Sequence, residues 1–442
     1  MSMRIHDIFK KQFVGAEEYI KDNICNQWKL LMKLDKIENI IVAPLYIIIL
    51  MVSIPVLSET IYTPSLPDLA KDLAISANLA EYTLTIYLFG FAIGVLIWGN
   101  LSDCYGRKPC VLTGFLIYAL SCFICYLADN INMLFAARFI QAFGASVGSV
   151  LGIAIARDVV KPAERGKMFS TIAIATAFSP AIGPVIGGFV IKFYHWSAVF
   201  LVLIVIAIFI MVLISVRLPE TNLNLRSERL VIPLYKECFA KMIRDPRLLG
   251  LAFLIGAVNG MLFGYFTEAP FYFISGLNIS TSSFGMITFF ICIPLALGGL
   301  ISKKMHKLQR TSDNIIFTAI KVMCLGSLLF FLSSYFNLIN KDNVTGSLLQ
   351  TLLWLGIIMT GKTMIVPNCL SQVLEDYGKF AGTASSLFGF IYYVIIASFT
   401  GLIGHMHDGS LIQLPLFMLI ISISMILVFY MAINKQQMAK NN

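Results

Sequence analysis

Long apolar segments separated by short polar ones make up most of the chain. Twelve runs of about 20 apolar residues are each long enough to cross the hydrocarbon core of a bilayer as a helix. They lie near residues 40–60, 82–99, 110–128, 133–156, 168–190, 196–216, 248–268, 282–302, 314–336, 346–367, 381–403 and 412–432. The pattern predicts an all-α membrane protein with twelve transmembrane helices.

The polar segments divide these helices into two groups. The longest internal hydrophilic segment, 218–247, leaves six runs on each side. We therefore expect two pseudo-symmetric six-helix bundles, 40–217 and 248–432, joined by a cytoplasmic linker and followed by a cytoplasmic tail at 433–442. Parallel six-helix repeats of this kind are typical of secondary transporters.

Residues 1–39 lie outside the apolar runs. They carry seven Lys and Arg residues and have apolar residues at roughly helical spacing. This pattern predicts an amphipathic helix on the inner surface of the membrane. A partner-binding or regulatory arm is the alternative interpretation.

Composition excludes an ordinary soluble domain, because 58% of the residues are hydrophobic and the mean hydropathy is +0.82. The net charge of +9 does not indicate a nucleic-acid partner, since Lys and Arg form short clusters between apolar runs. All but six of the 33 Lys and Arg residues fall on one side of the membrane if both termini do. We expect a multi-pass protein of the inner (plasma) membrane with both termini in the cytoplasm.

The sequence offers little for enzymatic chemistry. Its nine cysteines lack metal-type spacing to histidines, and it contains no GxxxxGK[ST], HExxH or GxSxG motif. We expect no enzyme activity, no cofactor and no metal. The four histidines outside the N-terminal segment are predicted to lie in loops, and the His-x-His pair among them is weak evidence for metal: His195, His306, His405 and His407.

The charged turn between the second and third runs is a candidate conformational latch. Asp103 and Arg107 are four residues apart and can pair across one helical turn, while Gly99 and Gly106 permit a tight turn. Asp158, at the end of the fourth run, is a second acid for Arg107. The cluster would hold the two bundles together in one state and release them in the other. The alternative is a static salt bridge that fixes topology.

Three charged residues within the runs are candidates for proton coupling. Glu59 leads, because intramembrane acids are costly enough to be functional by default; the alternative is an exposed acid at the outer interface. Arg138 lies at a similar depth and would stabilise the charged form of Glu59 if the first and fourth runs are neighbours, unless it is tied to backbone carbonyls. Glu268, which ends the seventh run, occupies the position of Glu59 in the second bundle. It would contact a cationic substrate or bind a second proton.

Other polar residues in the runs have simpler expected roles. Glu81 is predicted to lie at the interface, and Lys321 and Lys362 to extend their ammonium groups towards the membrane surface. The candidate substrate cavity residues are Tyr62, Gln141 and Tyr265.

The fifth run contains a GPxxGG motif formed by Gly183, Pro184, Gly187 and Gly188. Its glycines allow a neighbouring helix to approach closely, and its proline removes a backbone hydrogen bond and permits bending. Helix packing alone is the alternative role.

The turn sequence GNLSDCYGRKP resembles the signature of the major facilitator superfamily. Further matches resemble its Bcr/CflA-type drug:proton antiporters over Ile40 to Ala432. They are TPSLPDLAKDL, TLTIYLFGFAIGVLIWG, ARFIQAFGASVG, ARDVV, FSPAIGPVIGG, RLPET and IVPNCLSQVLEDYGKFAGTASSLFG. The chain departs from that pattern at Glu59, where the acid is one position earlier than the usual aspartate. It also has Ser170 and Ser179 at positions where the fifth helix usually carries glycine.

The resemblance implies the major facilitator fold and alternating access around a central cavity. It also implies that Asp103 faces the start of the eleventh helix, near Ala381. The expected function is efflux of a small amphipathic or drug-like compound in exchange for protons. Proton-coupled uptake of a nutrient or metal chelator is the alternative on the same fold, and a membrane receptor or regulatory scaffold is the alternative of another class. The sequence leaves the oligomeric state open, and a monomer suffices for this mechanism.

Overall fold

The computed structural model describes residues 45–160, 165–222, 225, 232–373 and 381–434. The predicted N-terminal amphipathic helix and most of the predicted tail lie outside these residues. In chain order the helices are α1 (Leu45–Thr60), α2 (Leu66–Asp72), α3 (Ala77–Tyr105), α4 (Arg107–Tyr126), α5 (Ile131–Val159), α6 (Arg165–Phe193), α7 (Ala198–Arg217), α8 (Ile232–Ile243), α9 (Pro246–Pro270), α10 (Thr281–Phe289), α11 (Cys292–Lys307), α12 (Ser312–Tyr335), α13 (Val344–Leu370), α14 (Ala381–Met406) and α15 (Gln413–Val428).

These helices form twelve membrane spans, as the hydropathy pattern predicts. Eleven spans among the described residues are long and apolar throughout, and α6 contributes an apolar stretch over Phe178–Phe193. The prediction of an all-α fold of two six-helix bundles is confirmed. The short helix α8 lies in the linker between the sixth and seventh spans.

Polar residues at the helix starts define where several spans begin. The side chains of Ser76, Asn130 and Thr311 each accept a hydrogen bond from the backbone N–H three residues later. Asp245 directly precedes Pro246, the first residue of α9. Its side chain accepts hydrogen bonds from the backbone N–H groups of Arg247 and Leu248. Such caps satisfy N–H groups that the first turn of a helix leaves unpaired. They explain why the spans start in short polar connections.

Three spans are less regular than the apolar pattern predicts. The first span continues from α1 through a 3₁₀ turn into α2, so it extends to Asp72. The seventh continues beyond α9 as a π-helical segment, Phe271–Gly276. The eighth is broken at residues 290–291, between α10 and α11, and Pro294 follows three residues after the break. Proline lacks the N–H that would continue the helical hydrogen bonds, which accounts for the break.

The two bundles meet along two pairs of helices, α3 with α14 and α6 with α10. The GPxxGG motif lies at the second of these contacts. Gly188 faces the backbone of Thr281, and the carbonyl of Pro184 faces Gly285. Gly183 and Gly187 instead face Thr60 and Ile61 on the first span. The motif therefore packs on both bundles where a larger residue would meet backbone atoms.

The molecule has two different ends. We call the end that carries residues 99–109 the turn end, and the end that carries residues 407–412 the far end. At the far end the bundles touch, and the Asn78 amide donates to the carbonyls of Gly404 and His407 at 2.7 and 3.1 Å. At the turn end a cavity of about 570 Å³ separates α3 and α5 from α13 and α14. We call this cavity the vestibule.

Candidate functional site

The vestibule leads from the turn end towards the centre of the molecule. Its walls combine aromatic rings with hydroxyl and amide groups, including Asn100, Ser149 and Thr383. At its inner end Phe91 of one bundle contacts Tyr393 of the other, with ring centroids 4.5 Å apart. A wall of this composition suits a ligand with both apolar and hydrogen-bonding parts.

Glu59 lies in the interior. Its side chain is only 1% exposed, and its Oε2 atom has no hydrogen-bond partner among the described residues. Its charge acts on Tyr392 and Tyr393, which line the vestibule. The first span covers 28 residues, and Glu59 is near its middle. The structure therefore places Glu59 in the core of the membrane span rather than at the outer interface.

The structure contradicts the predicted position of Lys362. This residue lies on α13 in the second bundle, near enough to Glu59 in the first for their charges to interact. Lys321, by contrast, is exposed, and its Nζ lies 4.6 Å from the centre of the Phe317 ring. The prediction that Lys362 reaches for the membrane surface was wrong, because helical depth alone does not reveal which side of α13 faces another charge.

Arg138 is fully buried on α5 and is held mainly by aromatic rings. Its guanidinium carbon lies 4.2 Å from the ring centres of both Tyr62 and Tyr87. One nitrogen, NH1, donates to the side-chain carbonyl of Gln141 at 2.5 Å. The Nε and NH2 atoms have no partner among the described residues. Arg138 is thus a charged group with unused hydrogen-bond donors, and backbone carbonyls do not hold it.

The three predicted cavity residues separate into two places. Tyr62 and Gln141 both contact Arg138, and the Tyr62 hydroxyl also pairs with Thr83 at 2.7 Å. Tyr265 lies on α9 in the other bundle, fully buried against Phe266. The structure brings Tyr62 and Gln141 together with Arg138, and it leaves Tyr265 apart from them.

Glu268 lies apart from Glu59, in a cluster at the far end. His407 Nδ1 is 2.9 and 3.1 Å from the two carboxylate oxygens of Glu268 and 3.2 Å from Oε1 of Glu81. Both glutamates are buried, and Glu81 is wholly inaccessible. We call these three residues the far-end cluster. It joins α3 of the first bundle to α9 and the end of α14 in the second.

Sequence reasoning missed two members of this cluster. Glu81 was predicted to lie at the interface, and His407 in a loop without a role. His407 does follow α14, but His306 and His405 lie within α11 and α14 and contradict the loop prediction. The three cluster residues are far apart in the sequence, so no local spacing indicates them.

The far-end cluster places one imidazole ring against two buried carboxyl groups. Burial alone would lower the pKa of His407, but hydrogen bonds to Glu268 and Glu81 outweigh burial and raise its pKa to about 10. The imidazolium then supplies one positive charge to a cluster that contains two carboxyl groups. No Lys or Arg among the described residues pairs with either acid.

The structure also brings the latch residues together. Arg107 NH1 lies 2.9 Å from Asp103 Oδ1 and 2.5 Å from the Ser102 hydroxyl, and its Nε lies 3.2 Å from Asp158 Oδ2. Gly106 has a φ of 97°, a value that L residues with side chains rarely adopt. Asp103 and Arg107 line the vestibule together with Gly382 and Thr383 at the start of α14.

Glu220 is a further member of this turn that sequence reasoning missed. It belongs to the RLPET segment after α7, and its carboxylate accepts hydrogen bonds from the backbone N–H groups of Arg107 and Lys108 at 2.9 and 3.1 Å. A carboxylate at a helix N-terminus is favoured by the helix dipole. Glu220 therefore ties the end of α7 to the start of α4.

The second bundle has an ion pair between Arg247 and Asp313 at 3.4 Å, and neutral hydrogen bonds surround the repeat position of the charged turn. Ser302 accepts from the Asn368 amide at 3.0 Å, and the oxygen of Asn368 lies 2.8 Å from His306 Nε2. Lys303, at the repeat position of Asp103, is exposed. The charged latch geometry belongs to the first bundle.

We expect Asp103→Asn to shift the balance between the open and closed states of the turn end, because Asp103 pairs with Arg107 and lines the vestibule with the start of α14. A partly exposed ion pair contributes about 0.2 to 1 kcal/mol, which corresponds to roughly a twofold to fivefold shift in an equilibrium. The measurement is the rate of maleimide labelling of Ser385→Cys in a cysteine-free background, since Ser385 lines the vestibule.

Lys303→Asn is the matched control for Asp103→Asn. Its labelling rate should equal that of the unchanged latch, because Lys303 is exposed and lies in the other bundle. Equal effects of the two substitutions would contradict a latch and favour a purely topological role for the charges.

Comparison with known proteins agrees with this architecture. Residues 48–401 match the family model described as Major Facilitator Superfamily. The chain belongs to the major facilitator superfamily. An uncharacterized transporter of Rickettsia felis is 36% identical over 374 residues, which cover 84% of this chain and 92% of that one. The bicyclomycin resistance protein homolog of Haemophilus influenzae is 25% identical over 80% of this chain and 86% of its own length.

Solved structures support the major facilitator fold. The crystal structure of a D-xylose-proton symporter superposes with a TM-score of 0.68 at 15% identity, covering 87% of this chain and 96% of that one. This major facilitator is a multi-pass membrane transporter for small molecules and not an enzyme, and the predicted likeness to Bcr/CflA-type transporters is confirmed.

Proposed function

We propose that this protein exports small amphipathic or drug-like compounds in exchange for protons, by alternating access across the inner membrane. The observation that carries the proposal is the position of Glu59 inside the membrane span. Glu59 is a buried carboxyl group with an unpaired oxygen, next to the inner end of a vestibule suited to amphipathic ligands. The name of the Haemophilus influenzae relative, a bicyclomycin resistance protein homolog, favours the same substrate class.

Glu59 and Arg138 would form the coupling site. In the ionised state the carboxylate of Glu59 interacts with two cations, Arg138 and Lys362. A ligand entering past Phe91 and Tyr393 would donate a hydrogen bond to this carboxylate, which requires Glu59 to be without its proton. Binding a proton at Glu59 from the far side would end that contact and release the ligand. Because the ligand and the proton compete for the carboxylate of Glu59, movement of the ligand in one direction is coupled to movement of a proton in the other.

Glu268 would act as a second proton site through the far-end cluster. When the far end opens, Glu81 moves away from Glu268 and His407, because they belong to different bundles. Separation would hydrate the acids and change how many protons the cluster holds. The vestibule at the turn end would face the cytoplasm, in line with the predicted position of both termini.

The test uses inverted membrane vesicles whose interior is acidified by respiration. We expect them to accumulate radiolabelled bicyclomycin or ethidium above the level of vesicles without the protein, and a protonophore should abolish the difference. Accumulation in right-side-out vesicles driven by external acid would instead establish uptake and contradict export. Equal content in all vesicles with both probes would contradict export of this compound class.

A further inference from the structure

The far-end cluster has the form of a ligand-binding site. Its three side chains come from two bundles and converge on one point, with His407 Nδ1 and one oxygen from each glutamate all within 4.8 Å of one another. The groups are buried: the side chains of Glu81, Glu268 and His407 are 0%, 2% and 9% exposed.

A second observation points to a small cation at this cluster. Oε2 of Glu81 has no hydrogen-bond partner among the described residues, although the side chain is inaccessible to solvent, and Oε1 pairs with His407 Nδ1 at 3.2 Å. Buried carboxylates without partners are strongly unfavourable, so they are normally paired or bind a metal ion. This unpartnered oxygen belongs to Glu81, the residue that faces Glu268 and His407.

The donor set identifies the chemical class of the cation. Imidazole and carboxylate groups together suit Zn²⁺ and related first-row divalent ions, whereas Mg²⁺ and Ca²⁺ favour oxygen ligands alone. The separations of 2.9 to 3.2 Å between the donor atoms are close to those between ligands that share one such ion.

We infer that Glu81, Glu268 and His407 form a binding site for a divalent transition-metal ion, of the Zn²⁺ class, between the two bundles at the far end. The ion holds the first bundle to the second, because Glu81 comes from α3 and the other two ligands from α9 and the end of α14. Asn78 fixes the backbone of His407, and Phe271 packs on its ring at 4.9 Å. Bound metal therefore stabilises the state in which the far end is closed.

The experiment is a titration of purified, metal-free, full-length protein with ZnCl₂ by isothermal calorimetry. We expect one tight site per chain that is weakened about 100-fold or more in Glu81→Gln, Glu268→Gln and His407→Gln. His405→Gln is the matched control, because His405 is exposed and two residues from His407. His195→Gln is the second control, since His195 pairs with Asp72 on the surface and could bind zinc weakly. Both controls should keep the tight site.

A spectroscopic measurement on the unaltered protein guards against variants that fail to fold. The Zn K-edge absorption spectrum at one equivalent should show only nitrogen and oxygen neighbours at about 2.0 to 2.2 Å. A sulfur shell near about 2.3 Å would show that zinc binds to some of the nine cysteines instead.

Three results would overturn the assignment: no tight zinc site, a tight site that survives all three glutamine variants, or a sulfur-containing coordination shell. A cluster held together by protons alone would give the first of these results. Transport is not measured in any arm, so the outcome is independent of whether the protein exports drug-like compounds.

Discussion

Replacing Glu59 by Gln is expected to abolish transport driven by a pH gradient while leaving a folded protein in the membrane. Glutamine has nearly the same shape and can still form hydrogen bonds, but it cannot take up or release a proton. Efflux into inverted vesicles should fall at least about tenfold, to the level of vesicles without the protein, because exchange requires a site that titrates. Movement of the ligand down its own concentration gradient should persist, since that process needs no proton.

The matched control is Glu237→Gln, which changes an exposed glutamate on α8. It should transport at the rate of the unaltered protein. Unchanged pH-driven efflux by Glu59→Gln would eliminate Glu59 as the coupling site. Glu268 would then be the remaining candidate acid for proton coupling.

Replacing Arg138 by Met is expected to abolish transport with little loss of stability. Two guanidinium nitrogens, Nε and NH2, lack partners among the described residues, and each unpaired buried donor costs about 1 to 3 kcal/mol. Their removal offsets the loss of the contacts with Tyr62 and Tyr87, which contribute about 2 kcal/mol when desolvated. The unfolding temperature should stay within about 4 °C of the original, while Glu59 loses a neighbouring positive charge.

Arg107→Met provides the comparison for Arg138→Met in thermal unfolding of the purified protein. Arg107 has hydrogen-bond partners for its charge, so its loss removes the ion pairs with Asp103 and Asp158 and should lower the unfolding temperature. A large loss of stability in Arg138→Met, equal to that in Arg107→Met, would mean that Arg138 is structural. Full transport by Arg138→Met would exclude it from the coupling site.

Much of the fold could be predicted because its causes are local in the sequence. A run of apolar residues predicts a span, and a spacing of four predicts that Asp103 and Arg107 meet on one helical turn. The close approach at Gly188 also follows from the residue type. The break in the eighth span was not predicted, although Pro294 lies beside it.

The parts that escaped prediction depend on contacts between distant segments. His407 and Glu81 meet only because α14 packs on α3, and Lys362 approaches Glu59 only because the two bundles face each other. A hydropathy profile gives the depth of a residue and not its direction around the helix axis. Glu220 escaped for the same reason, since its partners are the backbone N–H groups of another helix.

The two closures along the pathway differ in strength, and this difference sets which conformation prevails at rest. The contact between Phe91 and Tyr393 is a single aromatic pair, which contributes about 1 kcal/mol. The far end is held by the ion pair between Glu81 and His407 and by two hydrogen bonds that the Asn78 amide donates across the bundles, each contributing about 0.5 to 3 kcal/mol. Thermal fluctuations will therefore part the aromatic rings far more often than they part the far end. An idle transporter then spends most of its time ready to load from the vestibule, and the energy of transport is needed chiefly to expose the opposite side.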